Sequence, residues 1–205
     1  MTSVREERRE QIIKAAITVF GKRNFHKAKM VDIAKELQIG KSTIYEYFDS
    51  KKDLFEEMLM YIATGYYKFM KTEVGKYNNS KDKLVTFTTY HGKFMKDHLE
   101  LVESAIIDTS FISEEVGKQI LAKKEEVFKL LEDILIEGVE SGELLEGLDT
   151  QLAACAVIGS INHSFAMQIY VKGLDADGVN PEKIIEMLYK GMRNTIHNSQ
   201  STNQN

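Results

Sequence analysis

Apolar residues recur along the chain at three- and four-residue spacing, the period of a helix, and no stretch reads as a strand. Ile12, Ile13, Ala16, Val19 and Phe20 predict an amphipathic helix over about 5–22. Asn24, which tolerates the left-handed conformation, is expected to end it, with Phe25 folding back as the apolar residue beyond the cap. Met30, Ile33, Ala34 and Leu37 predict a second helix over 30–37. The stretch "QIG" then allows only a tight turn before a third begins at Lys41, its Ile44 and Phe48 facing inward together.

Ser50 followed by Asp53 has the spacing of a capping box, with Asp in place of the usual Glu or Gln. It opens a long helix, to about Val74, that carries Leu54, Phe55, Met58, Leu59, Ile62 and Phe69 on its apolar stripe, and "GKYNNSKD" is the first clear loop. Further helices are expected near 81–96, 98–109, 113–140, 150–171 and 181–193. Gly142 stops the third of these, Asp149 caps the fourth, and Asn180-Pro181 opens the fifth as N-cap and first-turn proline. The polar end "NSQSTNQN" predicts a disordered tail over 196–205.

One proline and thirteen glycines among 205 residues are consistent with this all-α reading, and a chain of this length buries roughly 70% of its unfolded surface. Charge is uneven. Residues 1–53 hold 12 Lys and Arg against 8 Asp and Glu, leaving 15 against 23 for the rest, so cations able to meet phosphates are concentrated at the N-terminus. No apolar segment of signal-peptide or membrane-spanning type is present, which predicts a soluble, cytoplasmic protein without a membrane partner. The single cysteine, Cys155, lies in the apolar run "LAACAVIG" and reads as a buried small hydrophobe.

Gly40-Lys41-Ser42-Thr43 could close a phosphate-binding loop. That loop needs a glycine five residues before Gly40, where Lys35 stands, and a strand before it, where the period is helical. Two helices joined by a turn of about four residues, the second short and rich in Lys, Ser, Thr and Tyr, describe instead a helix-turn-helix. With Ile44 and Phe48 in the core, Lys41, Ser42, Thr43, Tyr45 and Tyr47 are left on the outer face, where hydroxyls and a cation can reach base edges and phosphates. Gly40 takes the N-cap position.

At Ile33, Ala34, Ile39, Thr43, Tyr45, Phe48, Lys51 and Leu54 the sequence resembles the TetR family of transcriptional repressors, over residues about 8–60. The resemblance implies DNA contacts from Lys41, Ser42, Thr43, Tyr45 and Tyr47, and a phosphate contact from Lys51. It departs from the pattern at Gln38, where glycine is frequent and a left-handed residue would be strained, and at Ala28, where a capping hydroxyl is usual. Tyr47 replaces a frequent histidine and Val31 offers no base-reading group, so readout is expected to rest on the third helix.

The resemblance also implies an all-helical C-terminal domain that dimerises and holds a small effector. The expected division is a DNA-binding domain over 1–50 and an effector-binding and dimerisation domain over 51–195. "LAACAVIGSINHSFAMQIYV" suits a dimer bundle with the 181–193 helix, since Ala153, Ala156, Gly159 and Ser160 permit close approach; the other reading is a core helix of one subunit. Phe87, Tyr90, His91 and Phe94, with Asn162, His163 and Phe165, are candidate effector residues, although aromatics at this spacing also suit plain core. "FHKAKMVDIAKELQIGKSTIYEYF" and "ILIEGVESGELLEGLDTQLAA" resemble the acyl-CoA-responsive fatty-acid-degradation repressors of the family, which implies a long-chain acyl-CoA effector. The alternative effector is a lipophilic, cationic drug countered by Glu103 or Asp108.

No catalytic motif, cofactor-binding motif or metal cluster is present. His91 and His98, seven apart, stand about 10 Å apart along a helix, too far to share one ion. An enzyme is therefore not expected. A helical protein-interaction module without DNA binding is the remaining alternative from another class.

Overall fold

The computed structural model describes residues 4–98, 112–173 and 178–194, without the side chains of Asn24, Ile169 and Tyr170. The described part comprises α1 (Val4–Lys27), α2 (Met30–Glu36), α3 (Lys41–Tyr45), α4 (Lys51–Val74), α5 (Ser80–Asp97), α6 (Glu114–Glu140), α7 (Thr150–Ala166) and α8 (Pro181–Met192). A π-helical turn, Met167–Val171, prolongs α7. The described residues contain no strand, only an isolated bridge between Leu144 and Arg193. The helix expected over 98–109, the tail over 196–205, and Glu103 and Asp108 lie outside the described residues.

Two compact units divide inside α4, after Gly65, and inside α6, after Lys124. The boundary expected at residue 50 thus moves into α4, because Leu54, Phe55 and Met58 belong to the first core. There they pack with Ile12, Ala16, Phe20, Ile33, Ile44 and Phe48, all fully or almost fully buried. Phe55 makes an edge contact with Phe20 at 5.1 Å between centroids and a tilted one with Phe25 at 4.8 Å, geometries that favour aromatic pairs beyond their buried area.

The first helix does not stop at Asn24. Lys51 donates from Nζ to the carbonyls of Phe25 at 2.8 Å and Ala28 at 3.2 Å, and its ammonium lies 4.3 Å from the Phe25 ring centroid. Those bonds satisfy carbonyls at the end of α1, a service a local cap would otherwise render. α2 begins without a hydroxyl cap: the backbone N–H of Lys29 donates to Asp32 Oδ2 at 3.1 Å, and Asp32 also pairs with Arg23 at 3.2 Å.

The second unit is built on α5, which packs against α7 and α8. Gly92 permits this, since a Cβ there would collide with the ring of Pro181 at the start of α8. Met70, Leu84, Phe87, Leu131, Leu135, Ala154, Val157, Ile161 and Ile185 form its core. Phe69, expected on the inner stripe of α4, is 48% exposed, and Met70 takes the buried position. Asp149 caps α7 by accepting from the Leu152 N–H at 2.9 Å, Asn180 caps α8 by accepting from the Lys183 N–H at 2.9 Å, and Gly142 has φ +76° just past α6. Cys155 is exposed rather than buried, on a face of α7 that it shares with Leu152, Ala156 and Gly159.

Candidate nucleic-acid interface and effector region

The turn between α2 and α3 is closed by Gln38 in the left-handed region, φ +56°, and by the Ile39 N–H donating to the Ala34 carbonyl at 3.0 Å. A glutamine held there is strained by about 1 kcal/mol, a cost the surrounding contacts must offset. Gly40, with extended backbone, stands at the N-cap of α3. Buried Ile44 and Phe48 anchor the inner side. Lys41, Ser42 and Tyr45 are exposed, while Thr43 and Tyr47 are half-buried. Lys41 Nζ lies 5.4 Å from the centroid of the Tyr45 ring, so cation and aromatic form one surface patch.

Lys51, to which the resemblance gives a phosphate contact, also has partners inside the protein. Its ammonium is turned to the carbonyls at the end of α1, and burial lowers its pKa from the ordinary lysine value. Two arginines of α1 that sequence reasoning passed over reach the far end of α3 instead. Arg5 donates to the Glu46 carbonyl at 3.3 Å, and Arg9 donates to the Tyr47 carbonyl at 2.7 Å. The only available signal was the pair itself, a cation at i and i+4 in the first turns of an amphipathic helix.

In the second unit the candidate effector residues split. Tyr66, which was not among them, donates from its hydroxyl to His91 Nδ1 at 2.5 Å, and His91 Nε2 donates to Asn162 Oδ1 at 3.0 Å. The Tyr66 ring lies 4.0 Å from that of Phe94, and Phe87 stacks on His91 at 5.9 Å. Burial pushes the His91 pKa below its ordinary value, opposed by the bond to Asn162, and pushes the Tyr66 phenol far up. Phe165 is buried and approaches α5 at Gly92. Tyr90 turns away, its ring 4.9 Å from Phe69 and its hydroxyl 3.4 Å from Glu73. His163 is exposed. Tyr66 was legible as the residue between Ile62 and Met70 at four-residue steps.

A groove of about 640 Å³ in this unit is lined by Lys81, Glu143, Glu186, Tyr189, Lys190 and Arg193 among others, and by none of the candidate effector residues. The described residues contain no group of His, Cys, Asp and Glu able to hold a metal, and none of their helices is long and apolar enough to cross a membrane.

Residues 12–58 match the model of bacterial regulatory proteins of the tetR family, and residues 77–166 match a tetracyclin repressor-like C-terminal domain. The chain belongs to the TetR family of transcriptional regulators. It is 26% identical over 189 residues to the fatty acid metabolism regulator protein of Bacillus subtilis, covering 90% of this chain and 95% of that one. Its fold matches FadR of Bacillus subtilis in complex with stearoyl-CoA, at 24% identity and TM-score 0.69, over 89% of this chain and 98% of that one. It also matches a regulator from Saccharomonospora viridis in complex with choline, at 17% identity and TM-score 0.79, over 92% and 99%. These relatives are regulators, not enzymes.

Proposed function

We propose that the protein is a repressor that binds a palindromic operator as a homodimer through Lys41, Ser42, Thr43, Tyr45 and Tyr47, and that a long-chain acyl-CoA releases it. The DNA half of the reading rests on the exposed hydroxyls and cation of α3 above the buried Ile44 and Phe48. A five-residue helix reads too few bases alone, so two copies with matched half-sites are required.

The effector half is supported by similarity to a fatty acid metabolism regulator along 90% of the chain. The proposed seat is the cluster around His91 and Asn162, whose aromatic rings and few polar atoms are the side-chain types such a ligand needs. Because α4 is one continuous helix from Lys51 to Val74, a tilt forced near Tyr66 is carried to the DNA-binding unit and moves the two recognition helices off successive major grooves. Linkage requires operator DNA to weaken acyl-CoA binding by the same factor that acyl-CoA weakens DNA binding.

The choline complex of the Saccharomonospora regulator favours a second reading, a small lipophilic cation held by aromatic faces. The test is release of bound operator duplex by acyl-CoAs of increasing chain length, beside free CoA, choline and larger lipophilic cations. Release that strengthens with chain length supports the acyl-CoA reading; release by cations alone replaces it.

A further inference from the structure

We propose that Arg9 is a positioning residue for DNA reading: it fixes the backbone just past α3 and so sets the angle at which Lys41, Ser42, Thr43 and Tyr45 meet the bases. The problem it solves is the shortness of α3. Five residues cannot hold a helix by their own hydrogen bonds, and the last carbonyls of such a helix have no partner within it.

Arg9 reaches this end from α1 with every nitrogen engaged. Nε donates to Glu57 Oε1 at 2.6 Å, Nη2 donates to Glu57 Oε2, and Nη1 donates to the Tyr47 carbonyl at 2.7 Å. The guanidinium carbon lies 4.5 Å from the centroid of Phe48, the residue that seats the chain in the core. A planar fork bound to a carboxylate is fixed in direction as well as distance, which makes its third bond a reference point for the backbone that accepts it. One turn earlier, Arg5 donates to the Glu46 carbonyl and lies 5.5 Å from the centroid of the Tyr47 ring. Both cations thus stand at the negative end of α3.

Glu57 also decides what Arg9 does not do. Its carboxylate neutralises the guanidinium, and the bond to it is the largest cause raising the Arg9 pKa. A paired cation releases few counterions from DNA. Loss of Arg9 is therefore expected to appear as loss of selectivity, not as loss of phosphate attraction.

The test uses the full chain, a duplex selected from random sequences and its scrambled counterpart, each over a salt series. Arg9→Met keeps the apolar stem and removes the donors. The expected result is affinity for the selected duplex falling about tenfold, of the order of one base contact, with the scrambled duplex unaffected and the salt slope unchanged. Arg9→Lys is expected to fail in the same way, because an ammonium cannot make the fork. Glu57→Gln, which keeps one acceptor, is expected to fall between.

Equal loss on both duplexes with a salt slope smaller by about one identifies Arg9 as a phosphate contact and overturns the proposal. Full selectivity in Arg9→Met overturns it as well. Should Arg9→Met fail to fold, judged by circular dichroism, Glu57→Gln decides: wild-type selectivity in that folded variant sinks the positioning role. An unmodified chain that prefers no duplex sinks the DNA-binding reading and this proposal together.

Discussion

The hydroxyl of Tyr66 lies 2.5 Å from Nδ1 of His91, and Nε2 of the same ring lies 3.0 Å from Oδ1 of Asn162, so one imidazole ties α4 to α5 and α7. An amide oxygen only accepts, so Nε2 carries a proton; burial disfavours a second proton on the ring, which leaves Nδ1 to accept from Tyr66. Tyr66→Phe keeps the packing against Phe94 and removes the donor. It is expected to lower stability by about 1–3 kcal/mol in urea unfolding, the cost of a buried acceptor left without its partner.

The same burial gives a pH dependence. Burial holds the folded His91 pKa below its ordinary 6.5, so in the acid range the unfolded chain binds this proton more readily than the folded one. The contribution is full above about pH 6.5 and is lost as pH falls through that value towards the folded pKa. Urea midpoints measured from about pH 7.5 down to about pH 5 are expected to decline, and His91→Gln, which cannot titrate, is expected to flatten that part of the decline.

Thr43 and Lys51 are expected to separate cleanly. Thr43→Ala leaves stability unchanged and relaxes base preference, by roughly 1–3 kcal/mol of discrimination at one position. Lys51→Met removes two bonds from an ammonium to the carbonyls of Phe25 and Ala28, and is expected to lower the unfolding midpoint while leaving the salt slope of DNA binding unchanged. A salt slope reduced by about one in Lys51→Met would return this residue to the phosphate-contact role.

The dimer face is expected on α7 and α8. Leu152 is 66% exposed and Met187 65% exposed in the single chain, and a Cβ at Gly159 or Gly191 would meet nothing. An apolar, small-residue surface of this kind is what two copies need to approach closely. Leu152→Lys combined with Met187→Lys is expected to convert dimer to monomer in sedimentation velocity, with helix content unchanged by circular dichroism.

Sequence periodicity was enough for the course of the described helices, because each buries a stripe at helical spacing; α3, α7 and α8 begin where Gly40, Asp149 and Asn180 stand as caps. Errors arose where a distant residue acts. Asn24 offered a local stop, but Lys51, 26 residues beyond Phe25, caps α1 from outside. Cys155 looked buried because the whole helix is apolar, and periodicity cannot tell a core face from a face awaiting a second chain. On α3, Lys41, Ser42 and Tyr45 are exposed, as the anchoring of Ile44 and Phe48 implied, but the fork of Arg9 to Glu57 and Tyr47 joins residues 38 to 48 positions apart, which no local pattern reveals. The four-residue steps from Ile62 to Met70 place Tyr66 on the inner face of α4, but its partner His91 lies 25 residues on, in another helix, so its bond was not legible.

Selection from a pool of random duplexes asks whether the face of Lys41 to Tyr47 reads sequence at all. The expected result is enrichment of an inverted repeat with half-site centres one helical turn, roughly 34 Å, apart, and affinity that falls steeply with salt. A pool that enriches no inverted repeat, or binding that is indifferent to salt, would contradict the account.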